Sequence, residues 1–278
     1  MPPPRAELAD SREILPGEWL HTYHAPGIAT AAQPGQYVHI RTPDYPAPVM
    51  RHPFAINTYD RSRGMVSILF RVADGATSWL ARTRPGEGVE MYGPLGRTFR
   101  LEPKTRHVLL IAAGSGIAGV RALADDALAS DRQVTLVASA ASTADVYPSS
   151  LLPDKIEYVV ATDDGSFGHR GPITDLVSQF EAWADQAFAS GPIDVLARGA
   201  NLARGRQARL GVAALGARRG RTQGRRRAWL QVVIQQNVGC AIGTCLGCVI
   251  MGADGPQRVC REGPVFASDE IAWEARWP

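Results

Sequence analysis

The residues best suited to chemistry in this chain are its four cysteines, which all lie between positions 240 and 260. Their spacing is Cys240-x4-Cys245-x2-Cys248-x11-Cys260. Thiolates are soft, electron-rich ligands, and an iron–sulfur cluster needs four of them. The first three follow the C-x4-C-x2-C order typical of [2Fe–2S] centres, and the glycines among them let a loop turn its N–H groups toward the sulfurs. The spacing therefore predicts an electron-transfer cluster at these four residues.

Two other interpretations of the cysteines stay open at this level. Two disulfides would suit an oxidising compartment, but nothing else in the sequence points to secretion. A tetrahedral zinc site also takes four cysteines, although zinc sites usually come as two C-x2-C pairs and the first gap here is longer. A zinc site would leave the protein colourless, which distinguishes it from a cluster.

Length and composition set the class of protein. A chain of 278 residues allows about two domains, and its 45% hydrophobic residues are enough to build cores. The start, Met1–Arg5, has no apolar stretch of the kind that signal peptides carry. The longest apolar run, Val108–Ala113, is far too short to span a membrane. We therefore expect a soluble, cytoplasmic protein.

The net charge of +3 comes from one segment. Ten arginines fall between Leu196 and Trp229, and no acidic residue occurs between Asp194 and Asp254. Without those ten, 20 basic residues face 27 acidic ones, a balance of −7. The basic character is therefore not a property of the whole protein.

The chain changes pattern at about residue 103. Before it, alternation at Tyr37–Arg41, the β-rich run Val66–Val72 and regularly spaced Gly/Pro turns predict an antiparallel β-barrel. After it, the apolar run His107–Ala113 predicts a buried parallel strand, with a helix over Ile117–Ala129. Strands at 134–137 and 156–160, a helix at 173–189, a strand at 193–195 and a lead-in strand at 231–236 continue an α/β pattern.

Several separated stretches carry a family resemblance. They are Arg51–Ile56, Leu69–Val72, Gly93–Gly96, Leu110–Ala118, Ala161–Gly168 and the cysteine block ending Arg258–Phe266. With them the chain resembles the electron-transfer subunits of NAD-linked dihydroorotate dehydrogenase, a branch of the ferredoxin-reductase-like flavoproteins. The resemblance implies an FAD-binding β-barrel at 1–102, an NAD-binding α/β domain with a parallel sheet at 103–230, and a small [2Fe–2S] domain at 231–278.

The resemblance also implies where FAD binds. In the family an Arg-Pro-x-Ser/Thr stretch holds the flavin, with arginine against the pyrophosphate; here the equivalent stretch is His52-Pro53-Phe54-Ala55. Arg51, one position earlier, offers a guanidinium suited to phosphate. The second flavin stretch is Leu69-Phe70-Arg71, and the family's Gly-Thr pair appears as Ala76-Thr77. The alternative for Phe54 and Leu69 is a place in the barrel core.

Two further turns are candidates for contact with NAD. Gly114 and Gly116 lie between a strand and a helix, where backbone N–H groups can approach a phosphate or nicotinamide, although such glycines often make only a tight turn. The turn Asp163-Asp164-Gly165 matches the family's nicotinamide side. An ordinary solvated turn is its alternative, and we assign it no catalytic role.

The pattern breaks after Val195. The family has a Cys-Gly-Pro stretch there, whereas this chain continues with Leu196–Ala200 and an arginine-rich segment that reaches Arg227. The leading hypothesis is a pair of compensating frame shifts over 196–229. A real basic insertion, a solvated loop and a nucleic-acid patch are the alternatives. If the segment is real, we expect the last helix and strand of the NAD domain to be damaged.

Taken together, the resemblance implies an oxidoreductase subunit in pyrimidine biosynthesis. Electrons from a catalytic dihydroorotate dehydrogenase subunit would pass through [2Fe–2S] and FAD to NAD, within a heterotetramer of two plus two chains, with no nucleic acid and no membrane. No general acid or base is needed. The nearer alternative is a reductase subunit of the same architecture, serving sulfite reductase or ferredoxin–NADP exchange. The more distant alternative is a zinc or nucleic-acid-binding module.

Overall fold

The structure of the chain, a computed structural model, describes residues 5–42, 51–209 and 228–275. It consists of a β-barrel, a parallel sheet flanked by helices, and a C-terminal unit that carries all four cysteines. Within these ranges no helix combines the length and the apolar character needed to cross a membrane. The architecture confirms the predicted fold class.

The first unit is a closed barrel of six antiparallel strands in the order β1-β2-β5-β4-β3-β6. Its elements are β1 (Arg5–Leu15), β2 (Glu18–His24), α1 (Pro26–Ala31), β3 (Tyr37–Arg41), β4 (Arg51–Asp60), β5 (Met65–Arg71), α2 (Gly75–Ala81) and β6 (Gly88–Leu95). Strand β3 has the bounds that its alternation predicts. Val38 and Ile40 fill the barrel core, while Tyr37 joins the core beneath the cysteines.

The second unit is a sheet whose first six strands are parallel, in the order β10-β9-β8-β7-β11-β12. Its elements are β7 (His107–Ala113), α3 (Ile117–Ala129), β8 (Gln133–Ala140), β9 (Glu157–Thr162), β10 (His169–Arg170), α4 (Ile173–Phe180), β11 (Gln186–Ser190), α5 (Ile193–Arg209) and β12 (Leu230–Val233). On β7, Val108 and Leu110 face the core that α3 covers, and Leu109 and Ile111 face the opposite core. Burial on both faces explains its continuous apolar run.

The predictions for 173–195 were wrong. Helix α4 stops at Phe180, the strand is Gln186–Ser190, and residues 193–195 open helix α5. The strand is short, rich in alanine and buried along its whole length, a pattern that resembles a buried helix segment. Pro192 immediately precedes α5, the end of a helix at which proline is tolerated.

The third unit begins after β12 and returns to the sheet. It contains the hairpin β13 (Val249–Gly252) and β14 (Gly255–Arg258), then α6 (Val259–Glu262) and β15 (Val265–Ala267). Strand β15 pairs antiparallel with β12 and becomes the seventh strand of the sheet. The barrel is joined to the same segment, because the Arg97 N–H donates to the Gly263 carbonyl at 2.7 Å. The predicted lead-in strand at 231–236 ends at Val233.

Candidate functional site: the cysteine loop and two adjoining cavities

The four cysteines occupy two structural positions. Cys240, Cys245 and Cys248 lie on the loop between β12 and β13, and Cys260 lies on α6. The Cys245 N–H donates to Cys240 Sγ at 3.5 Å. This bond, together with other N–H groups of the loop, lowers the pKa of the Cys240 thiol to about 6. The Cys240 sulfur is therefore readily available as a thiolate ligand.

Cys248 and Cys260 form a second, buried pair. Burial raises the pKa of the Cys260 thiol to about 12, and the hydrogen bond with Cys248 adds to the effect. Coordination to a metal deprotonates a thiol outright. Cys248 and Cys260 therefore suit metal ligands that become charged thiolates only when the metal is bound. All four cysteines are free, so the disulfide interpretation is wrong.

The loop is held in an unusual backbone conformation beside its sulfurs. Ala241 and Leu246, each directly after a cysteine, both have φ of 58°. Side chains other than glycine rarely take this left-handed conformation, and such strain concentrates at functional sites. At Gly243 (φ +82°) a Cβ would lie 2.6 Å from Arg261 Cγ, so only glycine fits. Nothing in the residue types of Ala241 and Leu246 indicates this backbone conformation.

An ion pair ties the helix of Cys260 to this loop. Arg258 Nη2 lies 2.7 Å from Glu262 Oε1, and Arg258 Nε lies 3.1 Å from Glu262 Oε2. Arg258 Nη1 also donates to the Gly243 carbonyl at 3.3 Å. Hydrogen bonds from Arg258 hold the pKa of Glu262 below its ordinary value, so the carboxylate stays charged. The pair thus fixes Cys260 relative to Cys240 and Cys245.

The donor set fits an iron–sulfur cluster. Four sulfurs fall into two pairs, Cys240 with Cys245 and Cys248 with Cys260, and backbone N–H groups face the first pair. A [2Fe–2S] cluster takes four cysteine thiolates and is tuned by hydrogen bonds to its sulfurs. Within the described residues no three His, Cys, Asp or Glu side chains meet as ligands of a single metal ion.

A cavity of about 420 Å³ separates the barrel from the sheet and reaches the cysteine unit. Seven of the residues predicted for FAD line it: His52, Pro53, Phe54, Ala55, Leu69, Phe70 and Thr77. Tyr37 from the barrel and Val238 and Val259 from the cysteine unit also line it, and none of these three was predicted. Their signal was only their apolar character, which indicates a core position as readily as a cofactor contact.

His52 is the polar residue of this cavity best placed for an anion. Its Nε2 atom is buried and has no hydrogen-bond partner among the described residues. The nearby Asp74 has a pKa below its ordinary value. Burial acts to raise this pKa, but the hydrogen bonds from Thr77 and the electrostatic effect of His52 together outweigh burial. The Thr77 hydroxyl donates to Asp74 Oδ1 at 2.6 Å. Asp74 therefore caps α2, while His52 keeps an unused polar atom.

Three predicted FAD residues do not line the cavity. Arg51 pairs with Glu90 at 2.7 Å and lies over the Tyr92 ring, 4.4 Å from its centroid. Arg71 lies 3.4 Å from Glu18 and 3.5 Å from Asp145, and it lines a second cleft instead. Ala76 is fully buried in α2. Both guanidinium groups thus already have carboxylate partners.

The second cleft, about 720 Å³, lies at the carboxyl ends of the parallel strands. Gly114, Gly116 and Asp163, which the sequence assigns to the nucleotide side, line it together with Gly191 and Pro192. Open α/β sheets bind ligands at this edge. At Gly116 a Cβ would lie 2.3 Å from the Ser190 carbonyl oxygen, so this close approach of two backbones requires glycine.

The two cavities adjoin. Ser115 and Gln235 line both of them, so a ligand in one reaches the wall of the other. The short strand β11 ends at Ser190, and Gly191-Pro192 therefore lies beside Gly116. The Gly-Pro backbone expected after Val195 is therefore present earlier in the chain, at Gly191-Pro192, where β11 ends.

The arginine-rich segment is folded as far as it is described. Four of its ten arginines lie on α5, where Arg206 lies 5.0 Å from the Trp229 ring centroid and Arg198 pairs with Asp194. Leu196 on α5 and all of β12 are buried. The expected damage to the last helix and strand is therefore absent, while the other six arginines lie outside the described residues. The frame-shift hypothesis for 196–229 stays a prediction.

Comparison with solved structures identifies the fold. The chain aligns with an NADH-dependent reduced ferredoxin-NADP oxidoreductase at a TM-score of 0.80 and 22% identity, over 97% of this chain and 90% of that one. A ferredoxin reductase of carbazole 1,9a-dioxygenase aligns at 0.64 and 18% identity, over 73% and 65%. The barrel, sheet and intervening cavity therefore have the ferredoxin-reductase fold, joined here to a four-cysteine loop.

Sequence comparison gives the particular family. Residues 235–272 match the iron-sulfur cluster binding domain of dihydroorotate dehydrogenase B. A dihydroorotate dehydrogenase B (NAD(+)) electron transfer subunit from Desulforamulus reducens is 30% identical, over 94% of this chain and 95% of its own length. One from Geobacillus thermodenitrificans is 29% identical over 96% and 97%. The chain belongs to this family of electron transfer subunits, an oxidoreductase family, which confirms the resemblance.

Proposed function

We propose that this chain accepts electrons from a dihydroorotate-oxidising catalytic subunit and delivers them to NAD. Cys240, Cys245, Cys248 and Cys260 would hold a [2Fe–2S] cluster. His52–Ala55, Leu69, Phe70 and Thr77 would hold FAD in the first cavity, and Gly114 and Gly116 would contact NAD in the second. When bound, these groups supply one-electron transfer at the cluster, an exchange between one- and two-electron steps at the flavin, and hydride acceptance at nicotinamide.

The observation that carries the proposal is the continuity of the three sites. Val259, directly before Cys260, lines the first cavity, and Ser115 and Gln235 line both cavities. In this proposal the cysteine ligands, the flavin cavity and the nucleotide cleft therefore form one row. Its residues bind and orient the groups and bury them from water; none has to move a proton.

The family name of its relatives implies a catalytic partner, and the exposed end of the cysteine loop is where we place it. Cys245 and Leu246 are exposed, the latter by 60%, whereas Cys248 and Cys260 are buried. An assembly of two such chains with two catalytic subunits is the stoichiometry we propose. The relay needs the partner only at the cysteine end.

The test separates the two ends of the relay. The chain is co-purified anaerobically with a catalytic dihydroorotate dehydrogenase subunit, and iron, zinc and flavin are quantified. We expect about two irons per chain, and reduction of NAD by dihydroorotate only with the partner present. The control, Cys245→Ser, should keep NADH-to-ferricyanide activity, which needs only flavin and nucleotide sites, and lose transfer from the partner.

Two results would contradict the proposal. Stoichiometric zinc with no visible colour would remove the electron-transfer role of the cysteines. Reduction by ferredoxin, with no response to the dihydroorotate-oxidising partner, would assign the chain to another reductase system of the same architecture.

A further inference from the structure

Tyr37 lies where the flavin cavity meets the cysteine unit. It is the first residue of β3, opposite Ala55 on β4, and it lines the first cavity. A Cβ at Gly96 would lie 2.9 Å from Tyr37 Cε1 and 2.3 Å from Pro264 Cδ. The ring is therefore packed close to the segment that follows Cys260.

The Tyr37 hydroxyl is a buried donor that the protein leaves unused. It has no hydrogen-bond partner among the described residues, although the residue is only 5% exposed. Leaving a buried polar group unpaired costs about 1–3 kcal/mol. A buried hydroxyl of this kind marks a position at which a group absent from the polypeptide itself completes the bonding.

The surroundings of the hydroxyl identify the acceptor. Tyr37 packs in the same core cluster as Cys248, Val259 and Cys260. Apart from Tyr37 itself, only Cys248 and Cys260 carry a side-chain acceptor atom among the buried members of this cluster, so their sulfurs are the acceptors that this core offers the hydroxyl.

We propose that Tyr37 Oη donates a hydrogen bond to a sulfur of the iron–sulfur site on its Cys248–Cys260 side. This inference rests on the proposed cluster and adds a positioning residue to it. A donor to a cluster sulfur stabilises the reduced, more negative state, and so raises the reduction potential. Tyr37 thereby sets how easily the site takes an electron next to the flavin cavity.

The test is Tyr37→Phe, which removes one oxygen and leaves the ring to fill its space. The potentials of cluster and flavin are measured on the whole purified chain by spectroelectrochemical titration, with the reduced cluster followed by electron paramagnetic resonance. We expect the reduced-to-oxidised ratio of the cluster at a fixed potential to fall about tenfold, a shift of about 59 mV for a one-electron couple. The flavin potential should not change.

The matched control is Tyr59→Phe. The Tyr59 hydroxyl donates to Asp126 at 2.7 Å, between the barrel and α3, so its loss should leave both potentials unchanged. As a second measurement, the iron–sulfur stretching bands of the unmodified chain should shift between H₂O and D₂O, and this shift should be smaller in Tyr37→Phe, where only the N–H donors of the loop remain.

An unchanged cluster potential, or a shift confined to the flavin, would overturn the role of Tyr37 while leaving the relay intact. Iron analysis of the unmodified chain distinguishes the other failure: a chain without iron would overturn both the cluster and the inference built on it.

Discussion

The replacement of the family's flavin-stretch arginine by His52 predicts a measurable change in FAD affinity. His52 Nε2 lies at the cavity with no partner among the described residues. A hydrogen bond to a charged group contributes about 1.5–3 kcal/mol, and each 1.4 kcal/mol changes an affinity tenfold. His52→Ala should therefore raise the FAD dissociation constant roughly ten- to hundredfold.

Restoring the guanidinium should act in the opposite direction. Arginine binds phosphate through two parallel N–H groups, so His52→Arg should tighten FAD binding about tenfold. The control is Arg51→Gln. Because Arg51 is already held by Glu90 and Tyr92, its loss should change the FAD affinity less than about twofold, within the effect of a surface substitution.

The assay is the quenching of FAD fluorescence on titration of the flavin-free chain, repeated by calorimetry. The reasoning is refuted if His52→Ala binds FAD as tightly as the unmodified chain while Arg51→Gln weakens it. That outcome would mean that Arg51 leaves Glu90 to hold the pyrophosphate.

Three further predictions address the other sites. In Gly116→Ala the new Cβ would meet the Ser190 carbonyl oxygen at 2.3 Å; strain of about 1–3 kcal/mol should reduce NADH-to-ferricyanide activity about tenfold or more, with the visible spectrum unchanged. In Glu262→Gln the loss of the ion pair with Arg258 should speed the release of iron to a chelator, measured as bleaching of the visible absorption. Equal release rates in Glu262→Gln and the unmodified chain would contradict a role of this ion pair in holding Cys260. Burial lowers the pKa of His21 to about 4, so the unfolded chain takes up a proton at His21 before the folded chain does. The free energy of unfolding should therefore fall as the pH drops from ~6.5 toward 4. In His21→Gln, denaturant titrations should show a pH dependence that is smaller by one proton over this range.

The iron–sulfur segment and the two long elements β7 and α3 were predictable because their signals are local. Four thiols within one segment have few functions, and a six-residue apolar run followed by glycines leaves little choice of structure. The barrel was predictable for the same reason, since its alternation and turns repeat along the chain.

The region from 173 to 209 was not predictable from local pattern. Ala187 and Ala189 favour helix by intrinsic propensity, yet the pairing of β11 between β7 and β12 makes them strand residues. Likewise Ile193 and Val195 favour strand, but they open a helix whose later turns carry alanine and arginine, both good helix formers. Tertiary pairing decided both cases.

Contacts between distant segments were also beyond local pattern. Arg51 reads as a phosphate ligand until Glu90, 39 positions away, is seen to hold it. The left-handed conformations of Ala241 and Leu246 have no residue signature at all. The sequence indicates well the chemistry that lies within one segment. It does not indicate which distant residue will pair with a given side chain, as Glu90 does with Arg51.

The antiparallel strand β15 makes the cysteine unit part of the sheet rather than an appendage to it. Val265 opposes Val233, Phe266 opposes Val232, and a barrel N–H reaches Gly263 from the other side. Removing or exchanging the cluster segment alone would take away the strand that pairs with β12. The sheet edge left exposed could then pair with other chains. Transferring this iron–sulfur unit to another protein would therefore require more than the metal ligands. The edge strand β15, its partner β12 and the barrel contact at Gly263 would have to be transferred as well.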